Sequence, residues 1–215
     1  MQKLVVFDLD GTVIDTIEDL CDSMNIMLEK FNFRKINTKQ MSEAVGGSTR
    51  EIVRLSIGQK IPDELLDECT DFFAKNYIER RSPKTKPFEG IKEVILELKA
   101  RGYKITALSN KPQVEIDPIY DRILKPLGFD KVVGLSEKVV PKPDPSGALL
   151  LVKEFGASQE TTYFIGDGET DVMTAVNANL NCIAVLWGNR DKEFLSNYGA
   201  KVFANKPSEL LDLIK

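Results

Sequence analysis

From Ile91 onward, segments patterned as helices and segments patterned as strands take turns, and no other feature of the 215-residue sequence constrains the fold as strongly. IKEVILELKARG reads as an amphipathic helix stopped by a glycine, and YKITALSN as a strand with a polar end. A weaker helix from about Val114 to Leu127 precedes the short strand KVVG and a loop around PKPDP. A helix over about Pro145 to Phe155, the strand TYFIGD, a helix near Asp171 to Ala178, the strand CIAVLW, and finally KVFA and PSELLDLI complete the series. Strands separated by helices predict an α/β fold: an open, mostly parallel sheet covered on both faces.

The N-terminal stretch VVFDLDGTVIDT supplies the first strand of that sheet and ends it unusually. Asp8 and Asp10 project to the same side because strand side chains alternate, so two like charges are aimed at one point and need compensation. Apolar residues then recur at Ile17, Leu20, Cys21, Met24, Leu28 and Phe31, at helical spacing. Residues 38–58 and 62–80 carry few strand signals, and SPKTKPFEG, with two prolines and a glycine, reads as a linker. The expected organisation is a core of residues 1–15 and 86–215 interrupted by a helical insertion, residues 16–85.

Composition removes several classes of function. With 42% hydrophobic and 29% charged residues the chain reads as soluble and globular, and a net charge of −4 gives no footprint for nucleic acid. The basic cluster from Lys75 to Lys86 reads as a solvated helix end and loop. The absence of histidine excludes Ser-His-Asp and Cys-His mechanisms and histidine-ligated metals. Cys21, Cys69 and Cys182 are scattered and form no CxxC pair, so core packing is their expected role. No apolar run approaches the roughly 20 residues that span a bilayer, and no signal-peptide pattern opens the sequence, so no membrane partner and a cytoplasmic location are expected.

Ligands of open parallel sheets bind beyond the carboxyl ends of the strands, so chemistry is sought there. The first strand ends in Asp8, Asp10, Gly11 and Thr12; the second in Ser109 and Asn110; the loop after the third carries Lys142; the fourth ends in Asp167, with Asp171 soon after. DLDGT at 8–12, LSN at 108–110, PKPDP at 141–145 and GDGETD at 166–171 together resemble the haloacid dehalogenase superfamily. The similarity is to its phosphoglycolate phosphatase-like branch, with a Rossmann-like core and an inserted helical cap, and it covers nearly the whole chain.

That resemblance implies a Mg²⁺-dependent phosphatase acting on a small phosphorylated metabolite, with phosphoglycolate the first candidate. Asp8 would be the nucleophile that forms an aspartyl-phosphate. Asp10, protonated at the start while Asp8 is ionised, would serve the leaving oxygen and then the attacking water. Mg²⁺ would be held by Asp8, the backbone carbonyl of Asp10 and Asp167, with Asp171 ligating or holding a coordinated water. Lys142 would neutralise the phosphoryl oxygens and Asp8, Ser109 and the Asn110 backbone would donate to the same oxygens, and backbone N–H groups at Gly11 and Thr12 would complete the cradle.

In the cap, VGGSTRE offers Arg50 as a fork for a substrate carboxylate or second phosphate. Asp15 and Thr16, with the 82–88 linker, are the expected hinges; Asp15-Thr16 also reads as a helix N-cap. The sequence departs from the family pattern at Gly168, where Ser or Thr is usual, at Ser146-Gly147, and at Asn179, where glycine is common. A β-phosphoglucomutase-like phosphomutase shares the same core, and a non-catalytic phosphate-binding module is a third reading. A dehalogenase needs neither Mg²⁺ nor Asp10. Monomer and homodimer are both compatible with the sequence.

Overall fold

The computed structural model describes residues 2–137 and 139–215. The chain opens with β1 (Gln2–Phe7), then a two-residue strand β2 (Ile14–Asp15) that leads into four helices. These are α1 (Ile17–Lys30), α2 (Thr38–Ala44), α3 (Thr49–Ile57) and α4 (Asp63–Arg80). Local signals set their ends: Asn37 and Gln40 form a capping box at α2, the Ser48 hydroxyl accepts from the Glu51 amide at α3, and Gly58 closes α3 in the left-handed conformation. Met24, Met27, Leu28, Met41, Val53, Cys69 and Phe73 pack into a core of these helices' own.

The chain returns through β3 (Lys86–Pro87), inside the stretch expected as a linker, and β3 pairs antiparallel with β2. The entering and leaving strands are thus joined as a ribbon. Asp19 of α1 ties the ribbon down: its Oδ2 accepts from the Lys84 amide at 2.9 Å and from the Thr85 amide and hydroxyl at 2.6 and 2.8 Å. Thr16 does not cap α1 with its side chain; its hydroxyl donates to Asp10 Oδ1 at 2.7 Å.

Beyond the ribbon come α5 (Ile91–Ala100), β4 (Tyr103–Pro112) and α6 (Gln113–Ile119). The helix expected over 114–127 is broken, because Pro118 lacks an N–H to donate; a π-helical turn at Tyr120–Leu124 follows before α7 (Lys125–Leu127). Then follow β5 (Lys131–Leu135), α8 (Ser146–Glu154), β6 (Ala157–Gly166), α9 (Glu169–Asn177) and β7 (Asn181–Val185). A helix that the sequence pattern passes over, α10 (Lys192–Asn197), is capped by Asp191; β8 (Phe203–Ala204), a 3₁₀ turn and α11 (Leu210–Leu213) end the chain.

Six strands form one parallel sheet in the order β5-β4-β1-β6-β7-β8. The alternation of β1 explains why helices cover both faces. Val5 and Phe7 join Ile105, Ile165 and Ile183 under α5, α6 and α11, whereas Leu4 and Val6 join Leu108 and Phe164 under α8 and α9. This is the open α/β architecture expected from the alternation. With β1 at its centre, Asp8 and Asp10 leave the sheet in the middle of its carboxyl edge.

Candidate active site

Asp8, Asp10, Ser109, Asn110, Lys142, Asp167 and Asp171 all line one pocket at that edge. The helical insertion closes the opposite wall with Leu20, Val45, Ile52, Phe73 and the Gly46-Gly47 turn. The space between them is about 60 Å³, roughly enough for four to six waters at about 10–15 Å³ each.

Asp8, Asp167 and Asp171 are buried, and each places a carboxylate oxygen within 4.8 Å of the others. Burial pushes the Asp8 carboxyl well above its ordinary range; Lys142 opposes this, while Asp171 and Asp167 add to it. Asp167 is pushed up to about 6, first by burial and then by Asp171, against the donors that face it. Three crowded carboxylates offering only oxygen suit a hard divalent cation, whose charge would offset both the burial and the mutual repulsion that push these acids upward.

Lys142 is the cation already present. Its Nζ lies 2.6 Å from Asp8 Oδ1 and 2.6 Å from Asp171 Oδ1. Burial works against its charge, yet Asp171 and Asp8 outweigh that and hold it protonated above the ordinary lysine range. Its loop is fixed by Asn110, whose side chain donates to the Lys142 carbonyl at 3.1 Å and accepts from the Lys142 amide at 2.7 Å. Asp171 also accepts from the Gly168 amide at 3.0 Å through Oδ2, and Gly168, which has no side chain to accept from the first amides of α9, stands at that helix's N-cap.

Asp10 faces a second buried lysine. Lys111 Nζ is 3.2 Å from Asp10 Oδ1, 3.2 Å from the Tyr77 hydroxyl and 3.9 Å from Glu115 Oε2. Burial opposes the charge on Lys111, but Asp10, Tyr77 and Glu115 hold it protonated. Burial raises the Glu115 carboxyl, with Lys111 opposing. Tyr77 comes from α4, so this network reaches from the sheet edge into the helical insertion. The Asp10 carboxylate stands outside the three-acid cluster, where only its backbone carbonyl was expected to take part.

Three expectations are corrected. The Gly11 and Thr12 amides do not face the pocket: they donate to the carbonyls of Ile14 at 3.0 Å and Leu9 at 3.2 Å, closing the turn. Thr12 instead donates its hydroxyl to Asp167 Oδ1 at 3.0 Å, and Gly11, with φ of +89°, packs so close to the Asp167 carboxylate that a Cβ would collide with it. Arg50 is turned to the protein surface, where Nε and an Nη atom bond to Asp67 and Asp63 of α4, each at 2.7 Å. Two acids on the neighbouring helix, at a spacing that brings both to one face, outcompete the pocket for that guanidinium.

Sequence reasoning missed Asn189 and Arg190, on the loop after β7, as well as Lys111 and Glu115. Asn189 donates its amide and its Nδ2 to Asp167 Oδ2 at 2.7 and 2.9 Å. Arg190 donates to the Ser42 and Val45 carbonyls at 3.1 and 2.9 Å. The polar residues following the strand CIAVLW were the available signal, since that strand ends at the same edge as the others.

By fold and site, the protein is an open α/β protein with a buried acidic pocket at the carboxyl edge of its sheet. It belongs to the haloacid dehalogenase-like hydrolase family, whose model matches residues 5–185. Phosphoglycolate phosphatase 1 of Pseudomonas aeruginosa is 26% identical over 220 residues, covering 100% of this chain and 78% of that protein. Phosphoglycolate phosphatase of Colwellia psychrerythraea is 26% identical, covering 100% and 97%. The crystal structure of a protein from Lactobacillus delbrueckii subsp. bulgaricus matches with a TM-score of 0.90 at 28% identity, covering 100% of this chain and 99% of that one.

Proposed function

We propose that the protein is a Mg²⁺-dependent phosphatase that hydrolyses a small phosphomonoester through an aspartyl-phosphate on Asp8. The observation that carries this reading is Asp8 itself: a buried carboxylate at the central strand's end, touched by Lys142 and gathered with Asp167 and Asp171. Asp8, Asp167, Asp171 and the Asp10 carbonyl would hold Mg²⁺. When bound, the ion offsets the negative charge of the acids and of the phosphoryl oxygens.

The chain's own groups do the rest. Asp8 Oδ attacks phosphorus as the bond to the leaving oxygen breaks; Asp10, paired with Lys111 as a carboxylate in the free pocket, enters the substrate complex protonated and delivers that proton to the leaving oxygen. Asp10 then takes a proton from water; the water oxygen bonds to phosphorus, and the bond between phosphorus and Asp8 Oδ in the acyl phosphate breaks to restore the carboxylate and release phosphate. Lys142 stays protonated throughout and balances charge on Asp8 and the phosphoryl oxygens. Ser109, buried in the pocket wall, donates to the same oxygens.

The wall that the helical insertion sets over the acids, with Leu20, Val45, Ile52 and Phe73, supports a substrate small enough to fit beneath it. Phosphoglycolate is the first candidate, supported by the names of the relatives. Phosphate release from a panel of phosphoglycolate, sugar phosphates and nucleotides, with Mg²⁺ and with EDTA, tests this. Metal-dependent release ranked in favour of small acids is expected; isomerisation of a sugar phosphate in place of release would put a phosphomutase in its stead.

A further inference from the structure

The loop after β7 makes paired contacts in two directions. Toward the sheet edge, Asn189 gives two hydrogen bonds to Asp167 Oδ2. Toward the helical insertion, its Oδ1 accepts from the Ser42 hydroxyl of α2 at 2.6 Å. A side-chain amide has one acceptor end and one donor end, and here each is used. The Asp167 carboxylate only accepts and so fixes which end of the amide faces it, and the Ser42 hydroxyl, donating to the Oδ1 left facing α2, anchors the side chain in that place. Arg190 reinforces the grip, donating to the Ser42 and Val45 carbonyls at the end of α2 and bonding through Nε to Glu169 Oε2 at 3.2 Å. Ser42 does not line the pocket that holds the three acids.

We propose that Ser42 and Asn189 form a positioning relay, through which the seating of the helical insertion sets the orientation of Asp167 and hence the site's affinity for a divalent cation. The inference rests on the cation site of the proposed function. Linkage makes the effect reciprocal: whatever α2 contributes to cation binding, the cation returns as tighter seating of α2.

The test is calorimetric titration of Mg²⁺ into the full chain, as wild type and as the Ser42→Ala, Ser42→Thr and Asn189→Ala variants, with the thermal midpoint of each metal-free protein as a folding control. Ser42→Ala is expected to weaken Mg²⁺ binding roughly threefold to tenfold, the scale of one hydrogen bond. Ser42→Thr, which keeps the hydroxyl, is expected to stay near wild type, and Asn189→Ala to weaken binding further, while metal-free midpoints change little. Equal affinities in wild type and Ser42→Ala, or equal losses in Ser42→Ala and Ser42→Thr, would overturn the relay alone. A wild type that binds no Mg²⁺ would overturn the cation reading and the relay together.

Discussion

Lys111 Nζ stands 3.2 Å from Asp10 Oδ1, both side chains nearly enclosed, at the point where α4 of the helical insertion meets the sheet edge. Removing one partner of such a pair leaves the other's charge buried without compensation. Lys111→Met is therefore expected to destabilise the protein by on the order of 3 kcal/mol, seen as a lower urea midpoint at unchanged m-value. Adding Glu115→Gln should recover part of the loss, since it removes a second acid from the same enclosure.

The two acids at the end of β1 have different proposed tasks and should fail differently. Asp8→Asn removes the nucleophile and should lower kcat by at least about a thousandfold. Asp10→Asn should cost about 10²–10⁴-fold, and less with a leaving group such as p-nitrophenolate that needs no proton. Steady-state kinetics with an alkyl and an aryl phosphate separate the two.

Burial and Asp171 hold Asp167 at about 6, above its unfolded value. The metal-free folded state therefore keeps a proton that the unfolded chain has lost between about pH 4 and 6. Its contribution to stability is complete below the unfolded value and disappears as pH rises through 6, opposite to a salt-bridged carboxylate. The metal-free wild type should gain in thermal midpoint, relative to Asp167→Asn, as pH falls from about 7 to about 5. Saturating Mg²⁺ should reverse the trend, because the ion competes with that proton and binds more weakly below about pH 6.

Gly11 combines a φ of +89° with close approach to the Asp167 carboxylate. Gly11→Ala adds left-handed strain and displaces Asp167 at once. It should lower the thermal midpoint and also weaken Mg²⁺ binding, whereas a Gly58→Ala control at the end of α3, with no cation-site neighbour, should lower the midpoint only.

Much of this architecture is legible in the chain because two periodicities carry it. The wholly buried run Leu4–Phe7 and the helix-strand alternation after Ile91 define the sheet, and strand endings bring Asp8, Asp10, Ser109, Asn110, Lys142, Asp167 and Asp171 to one pocket. Competition among partners is not legible in the same way. Arg50 had a plausible pocket in sequence, but Asp63 and Asp67 lie within its reach and take it. The Gly11 and Thr12 amides are consumed by their own turn. Asn189 and Lys111 carry no periodic signal, and their importance emerges only when β7 and α4 are brought against the acids.

The most direct test of the central claim is phosphate release from phosphoglycolate by wild type and Asp8→Asn, each with Mg²⁺ and with EDTA. The account predicts release only from wild type with Mg²⁺, with Asp8→Asn folded, shown by a thermal midpoint near wild type, and inactive. Release that persists in Asp8→Asn, or that is undiminished by EDTA, would contradict it.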